Sequence, residues 1–213
     1  MDFFEIAQYR LIFWDFDGVI KDSVDVKTRA FVRLFEHFGP SIETRVRQHH
    51  ESHGGMSRFE KLPLYLEWCG VEATDERIES LVEQFSRMVV DSVINSPWVP
   101  GVEELLRRNP YHQQFYLVSA TPKDELDQIL ERLELRKCFV DVFGAPVRKQ
   151  DAIGGVLLSS ALPSQDCLMI GDSMEDLKAA NENRVPFLLR SHPTNAVSFL
   201  EYAGPSVNDF THL

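Results

Sequence analysis

Five short apolar runs constrain this chain more than anything else in it: Leu11–Trp14, Phe115–Val118, Phe139–Phe143, Cys167–Ile170 and Phe187–Leu189. They show little polar alternation, as expected of parallel strands covered on both faces. Helical patterns fill the gaps. Thr121 reads as an N-cap with Pro122 at N1, followed by an apolar stripe of Leu126, Ile129, Leu130 and Leu133. Further helices are predicted over about 150–162 and 174–183. Strands alternating with helices predict an α/β fold, a doubly wound parallel sheet.

Residues 21–96 break this rhythm and contain no strand pattern. Ala30, Phe31, Leu34, Phe35 and Phe38 make one helical face that Gly39-Pro40 ends. Ser57-Arg58-Phe59-Glu60 reads as a capping box, with Pro63 expected to kink the helix or restart it. Ile78, Leu81, Val82, Phe85, Met88, Val89 and Val93 form a long amphipathic stripe. The expected organisation is therefore a core of residues 1–20 and 97–213 with an all-helical insert at 21–96.

With 33 Asp and Glu against 22 Lys and Arg, the net charge of -11 argues against a nucleic-acid partner and against anionic membranes. An anionic small molecule is not excluded, because a bound cation reverses the local field. Cys69, Cys138 and Cys167 lack metal-ligand spacing, and no apolar stretch reaches membrane-spanning length. Asp2 and Glu5 precede the first apolar run, the reverse of a signal peptide. A reduced, cytoplasmic chain is the expectation.

The chemistry concentrates where strands end. Asp15 and Asp17 close the first run, and two such carboxylates are costly there unless a cation compensates them. Alone, an Asp-x-Asp is more often a solvated loop pair. Ser119 and Ala120 end the second run; a hydroxyl and free N–H groups at a helix start suit phosphate oxygens, or simply cap the helix. Lys149 lies in a loop before a helix, where most lysines are solvated. Asp172 ends the fourth run and Asp176 follows one helical turn later; both can face one site, although Asp176 could equally serve the helix dipole.

These features, in this order and each at a strand's C-terminal end, resemble the haloacid dehalogenase superfamily over essentially the whole chain. Asp22-Ser23, Pro100-Gly101, Gly144 with Pro146, and Pro186-Phe187 are also similar to its phosphoglycolate-phosphatase-like branch. The resemblance implies a Rossmann-like core with a small helical cap, and a magnesium-dependent phosphatase acting on a small phosphorylated metabolite such as a sugar phosphate. Asp15 would be the nucleophile and Asp17 the general acid and base, with Lys149 catalytic. Ser119, Ala120 and Lys149 would bind phosphate, and Asp15, Asp17, Asp172 and Asp176 would form the Mg2+ site. The carboxylate at Asp17 separates the chain from the dehalogenase and phosphonate-cleaving branches. Asn183-Arg184 replaces a glycine common in the family; Asn tolerates the left-handed end that the position needs.

Specificity would come from the cap, where Arg45, Arg47, His49, His50, His53, Arg58 and Lys61 cluster around Gly54-Gly55. They form either a solvated face or a substrate loop in which Gly55, His53 and Arg58 hold a second anionic group. Gly55–Arg58 resembles the cap loop of β-phosphoglucomutase, whose arginine contacts a distal phosphate; the histidine of such mutases falls at Lys27 here. A sugar phosphomutase is thus the first alternative and a non-catalytic regulatory module the second. The expected state is a monomer or homodimer.

Overall fold

The computed structural model describes residues 5–212; Asp2, used in the charge argument, lies outside them. Six parallel strands form one sheet in the order β3-β2-β1-β4-β5-β6. They are β1 (Leu11–Trp14), β2 (Gln114–Pro122), β3 (Asp141–Ala145), β4 (Cys167–Gly171), β5 (Phe187–Arg190) and β6 (Ser206–Val207). Helices α5 (Val102–Arg108), α6 (Lys123–Arg132), α7 (Lys149–Ser160) and α8 (Met174–Glu182) connect them. Between β1 and α5 lie α1 (Val24–Phe35), α2 (Pro40–Ser52), α3 (Arg58–Trp68) and α4 (Asp75–Asn95).

All four residues of β1 are buried, yet they face opposite ways. Ile12 and Trp14 join one hydrophobic cluster, while Leu11 and Phe13 join another beneath α7 and α8. Apolar cover on both faces is why the run shows no polar alternation. The first cluster continues without a break into the inserted helices. Phe31 packs against Phe85 with tilted rings whose centroids are 4.2 Å apart, and Tyr65 meets Phe31 edge-on at 5.7 Å.

Several local expectations need correction. Thr121 is no N-cap: β2 runs on through Pro122, α6 begins at Lys123, and the Thr121 side chain is drawn to Asp17 instead. The third strand starts at Asp141, because Phe139 is a buried loop residue. Pro63 sits inside α3 without ending it. The left-handed residue after α8 is Arg184 (φ 56°), while the Asn183 amide donates to the carbonyls of Gln150 and Ala179.

Candidate active site

The strand order reverses between β1 and β4, and in such sheets the crevice beyond the strand ends is where ligands bind. Asp15 and Asp172 flank that point. The Asp15 N–H extends the ladder by donating to the Ile170 carbonyl at 3.0 Å. The chain then turns through Gly18, whose φ of 76° favours glycine and where a Cβ would strike the Asp172 carboxylate.

Asp15, Asp172 and Asp176 are all buried, and each offers a carboxylate oxygen within 4.8 Å of the others. Lys149, at the start of α7, is 7% exposed rather than solvated. Its Nζ lies 2.9 Å from Asp15 Oδ1 and 2.5 Å from Asp176 Oδ1. Burial alone would lower Lys149, but Asp15 and Asp176 outweigh it and hold the ammonium above its ordinary range. Burial, then Asp176, pushes Asp15 well above the usual carboxylate range, against the pull of Lys149. One ammonium thus faces three buried carboxylates.

Asp176 is already saturated. Its Oδ2 accepts from the Asp172 and Ser173 N–H groups and from Ser173 Oγ, closing a capping box at the start of α8. Asp172 Oδ2 lies 2.8 Å from His192 Nε2. Asn195 holds that loop in turn: its amide donates to the Asp172 and Arg190 carbonyls, and its Oδ1 accepts from the His192 N–H. Asp15 Oδ2 and Asp172 Oδ1 are left without a hydrogen bond among the described residues. Two free oxygens on buried carboxylates, with excess negative charge around them, fit a hard divalent cation.

Asp17 has a different environment. Ser23 Oγ donates to its Oδ1 at 2.6 Å, while Lys27 Nζ and Thr121 Oγ both donate to Oδ2. Burial would raise Asp17, but Lys27 and these hydrogen bonds win and hold it below its ordinary value. The sequence reading missed Ser23, Lys27 and Thr121 as site residues. The spacing of Ser23 and Lys27, one helical turn apart just after the motif, was the available signal.

Ser119 and Ala120 line the cavity beside Lys149. They do so on a strand whose register with β3 shifts between Val118 and Pro122, not at a helix start. The cavity wall also includes Gly55, His50, Arg58 and Lys61 from the inserted helices. A Cβ on Gly55 would strike Ser173 Oγ and Glu175, so this glycine permits the close approach of loop to core.

Two cap residues behave otherwise than expected. His53 is outside the cavity lining; its ring stacks on His49 at 4.3 Å. Arg58 borders the cavity, but its guanidinium is committed elsewhere: Nη1 and Nη2 each donate to a Glu125 oxygen at 2.8 Å, and Nη1 also donates to Ser86. The pair is buried and bridges α3 to α6. Removing one partner of such a pair strands the other charge. Glu125→Ala is therefore expected to cost about 3–5 kcal/mol in urea unfolding. A loss below about 1 kcal/mol, the range of an exposed pair, would contradict the buried bridge.

The model of the haloacid dehalogenase-like hydrolase family matches residues 12–189. The chain belongs to this family. Phosphoglycolate phosphatase 1 of Pseudomonas aeruginosa is 27% identical over 188 residues, covering 84% of this chain and 68% of the relative. A phosphorylated carbohydrates phosphatase of Thermotoga maritima is 27% identical over 139 residues, covering 64% and 62%. Among solved structures, a β-phosphoglucomutase from Clostridium difficile superposes with a TM-score of 0.75 at 21% identity, covering 96% of this chain and 93% of that one. That last likeness shows a shared fold. Among the described residues, no helix is long and apolar enough to cross a membrane.

Proposed function

We propose that this family member is a magnesium-dependent phosphomonoesterase that hydrolyses a small phosphorylated metabolite through an aspartyl-phosphate on Asp15. The observation that carries the reading is the Asp15 carboxylate, buried at the switch point of the sheet beside the Lys149 ammonium and close to Asp172. In this reading residues 1–20 and 97–213 form the catalytic core and 21–96 its cap. The enzyme works in the cytoplasm, in keeping with three unbridged cysteines.

The Asp15 carboxylate attacks phosphorus, the ester P–O bond breaks, and the leaving alkoxide takes a proton from Asp17. Water then attacks the acyl phosphate, gives its proton to Asp17 and releases inorganic phosphate with Asp15 restored. Asp17 rests ionised; a phosphate dianion beside it raises its proton affinity, as the first step requires. Lys149, Ser119 and the adjoining backbone at Ala120 hold the equatorial oxygens. Asp15, the Asp17 main-chain carbonyl and Asp172 would hold Mg2+, which when bound neutralises phosphate charge; Asp176 fixes Lys149 and the turn beside it.

Phosphate release from a panel of phosphomonoesters, with magnesium and with excess chelator, tests this directly. Release should require the metal, and an isomerised ester in place of free phosphate would reveal a mutase. Asp17→Asn should lower kcat on alkyl phosphates by roughly 10²–10⁴-fold, the range of general acid catalysis, and less on aryl phosphates, whose leaving groups need less protonation. Equal losses on both would remove Asp17 from the acid role.

A further inference from the structure

The cavity wall carries four cationic side chains, Lys27, Arg58, Lys61 and Lys149. Three have carboxylate partners: Lys27 with Asp17, Arg58 with Glu125, and Lys149 with Asp15 and Asp176. Lys61 has none within ion-pair reach among the described residues. Its Nζ meets His50 Nδ1 at 2.8 Å and lies 5.5 Å from the centre of the Phe31 ring, and the residue is 0% exposed. Lysines are almost never fully buried unless paired. An apolar side chain of similar length would pack here at lower cost, so the fold alone gives no reason for the charge. Positions that cost stability without a structural return are typical of functional sites.

Lys61 lines the same cavity as Asp15, Ser119 and Lys149. We infer that Lys61, backed by His50, is the subsite for a second anionic group of the substrate. The enzyme then prefers phosphate esters that carry a carboxylate or second phosphate besides the reacting one. This inference deepens the phosphatase reading and rests on it. It also moves the second-anion role from Arg58, which Glu125 already occupies, to a residue one turn along α3.

The groups facing Lys61 are Lys27 of α1, His50 of α2, Glu60 of its own helix, Glu175 of α8, and Asp17. Burial pulls the lysine down to about 7, with Glu175 the largest opposing pull. Burial, then Lys61, holds His50 well below its ordinary range, so its neutral ring accepts from the ammonium. An arriving anion draws Lys61 to its charged form.

The test compares wild type with Lys61→Met on phosphoglycolate, glycerol phosphate and 4-nitrophenyl phosphate at saturating magnesium. KM for phosphoglycolate should rise by about tenfold or more, the scale of one charge-assisted hydrogen bond, while KM for the other two rises by a much smaller factor. The melting temperature should hold or rise, because a buried charge without an ion-pair partner has been removed. In wild type, kcat/KM for phosphoglycolate relative to that for the aryl phosphate should fall as pH rises through about 7, where Lys61 loses its proton. Equal KM changes on all three substrates, or a lowered melting temperature with uniform loss of activity, would overturn the inference. A second readout needs no turnover. Phosphonoacetate should raise the wild-type melting temperature more than methylphosphonate does, and the difference should vanish in Lys61→Met. Equal shifts in wild type would overturn the subsite even if the phosphatase reading holds. A lost difference in Lys61→Met without hydrolysis by wild type would instead spare the subsite and sink the phosphatase.

Discussion

Replacing Asp15 by Asn should end phosphate release, with kcat falling by at least about 10⁴-fold, as nucleophile removal does elsewhere. The shape of the side chain is retained and one of three crowded carboxylates is neutralised, so the fold should survive. Lys149 keeps Asp176 as a counter-ion at 2.5 Å. Phosphate assays paired with circular dichroism separate the two effects. Near-native turnover in Asp15→Asn would leave the covalent route without its nucleophile.

Lys149→Met should damage the fold as well as the chemistry. It leaves Asp15, Asp172 and Asp176 buried with no ammonium among them, and stranding such charges costs about 3–5 kcal/mol. Magnesium bound at Asp15 and Asp172 would recover part of this, up to about 2.7 kcal/mol at a hundredfold excess over Kd. Melting curves in magnesium and in chelator should therefore diverge more for the variant than for wild type. The variant's deficit should also shrink as pH falls: burial already raises Asp15 and Asp172, the variant lacks the ammonium that pulls both down, and they take up protons before the unfolded groups do. A variant as stable as wild type in chelator would show that Lys149 is not the site's counter-charge.

What the sequence revealed depended on how local each determinant was. β1, β2, β4 and β5 were legible because burial on both faces leaves a continuous apolar run. β6 has two residues and an edge position, too little for a pattern. The start of β3 was misplaced because Phe139 packs into the core from a loop. The acidic cluster was readable from strand ends and one-turn spacing, and Lys149 only in their company. Thr121 was misread because local capping chemistry suits it, whereas its hydroxyl is used by Asp17 and Lys27. Arg58 was beyond sequence reasoning: its partner is 67 residues away, on a helix that nothing in the local pattern joins to α3. His53 and Lys61 carry similar local signals, and only packing separates the one outside the cavity from the one in its wall.

Phe31 and Phe85 belong to two inventories at once, walls of the cavity and members of the cluster that runs from the sheet into the inserted helices. A lineage that reshapes this site through them also reshapes its own scaffold, since large-to-small changes at such positions cost about 3–5 kcal/mol. Evolvability here is thus uneven. Aromatic positions admit mainly volume-conserving exchanges, and new substrates are more accessible through Met56 and Lys61, which border the same space without carrying the aromatic stack.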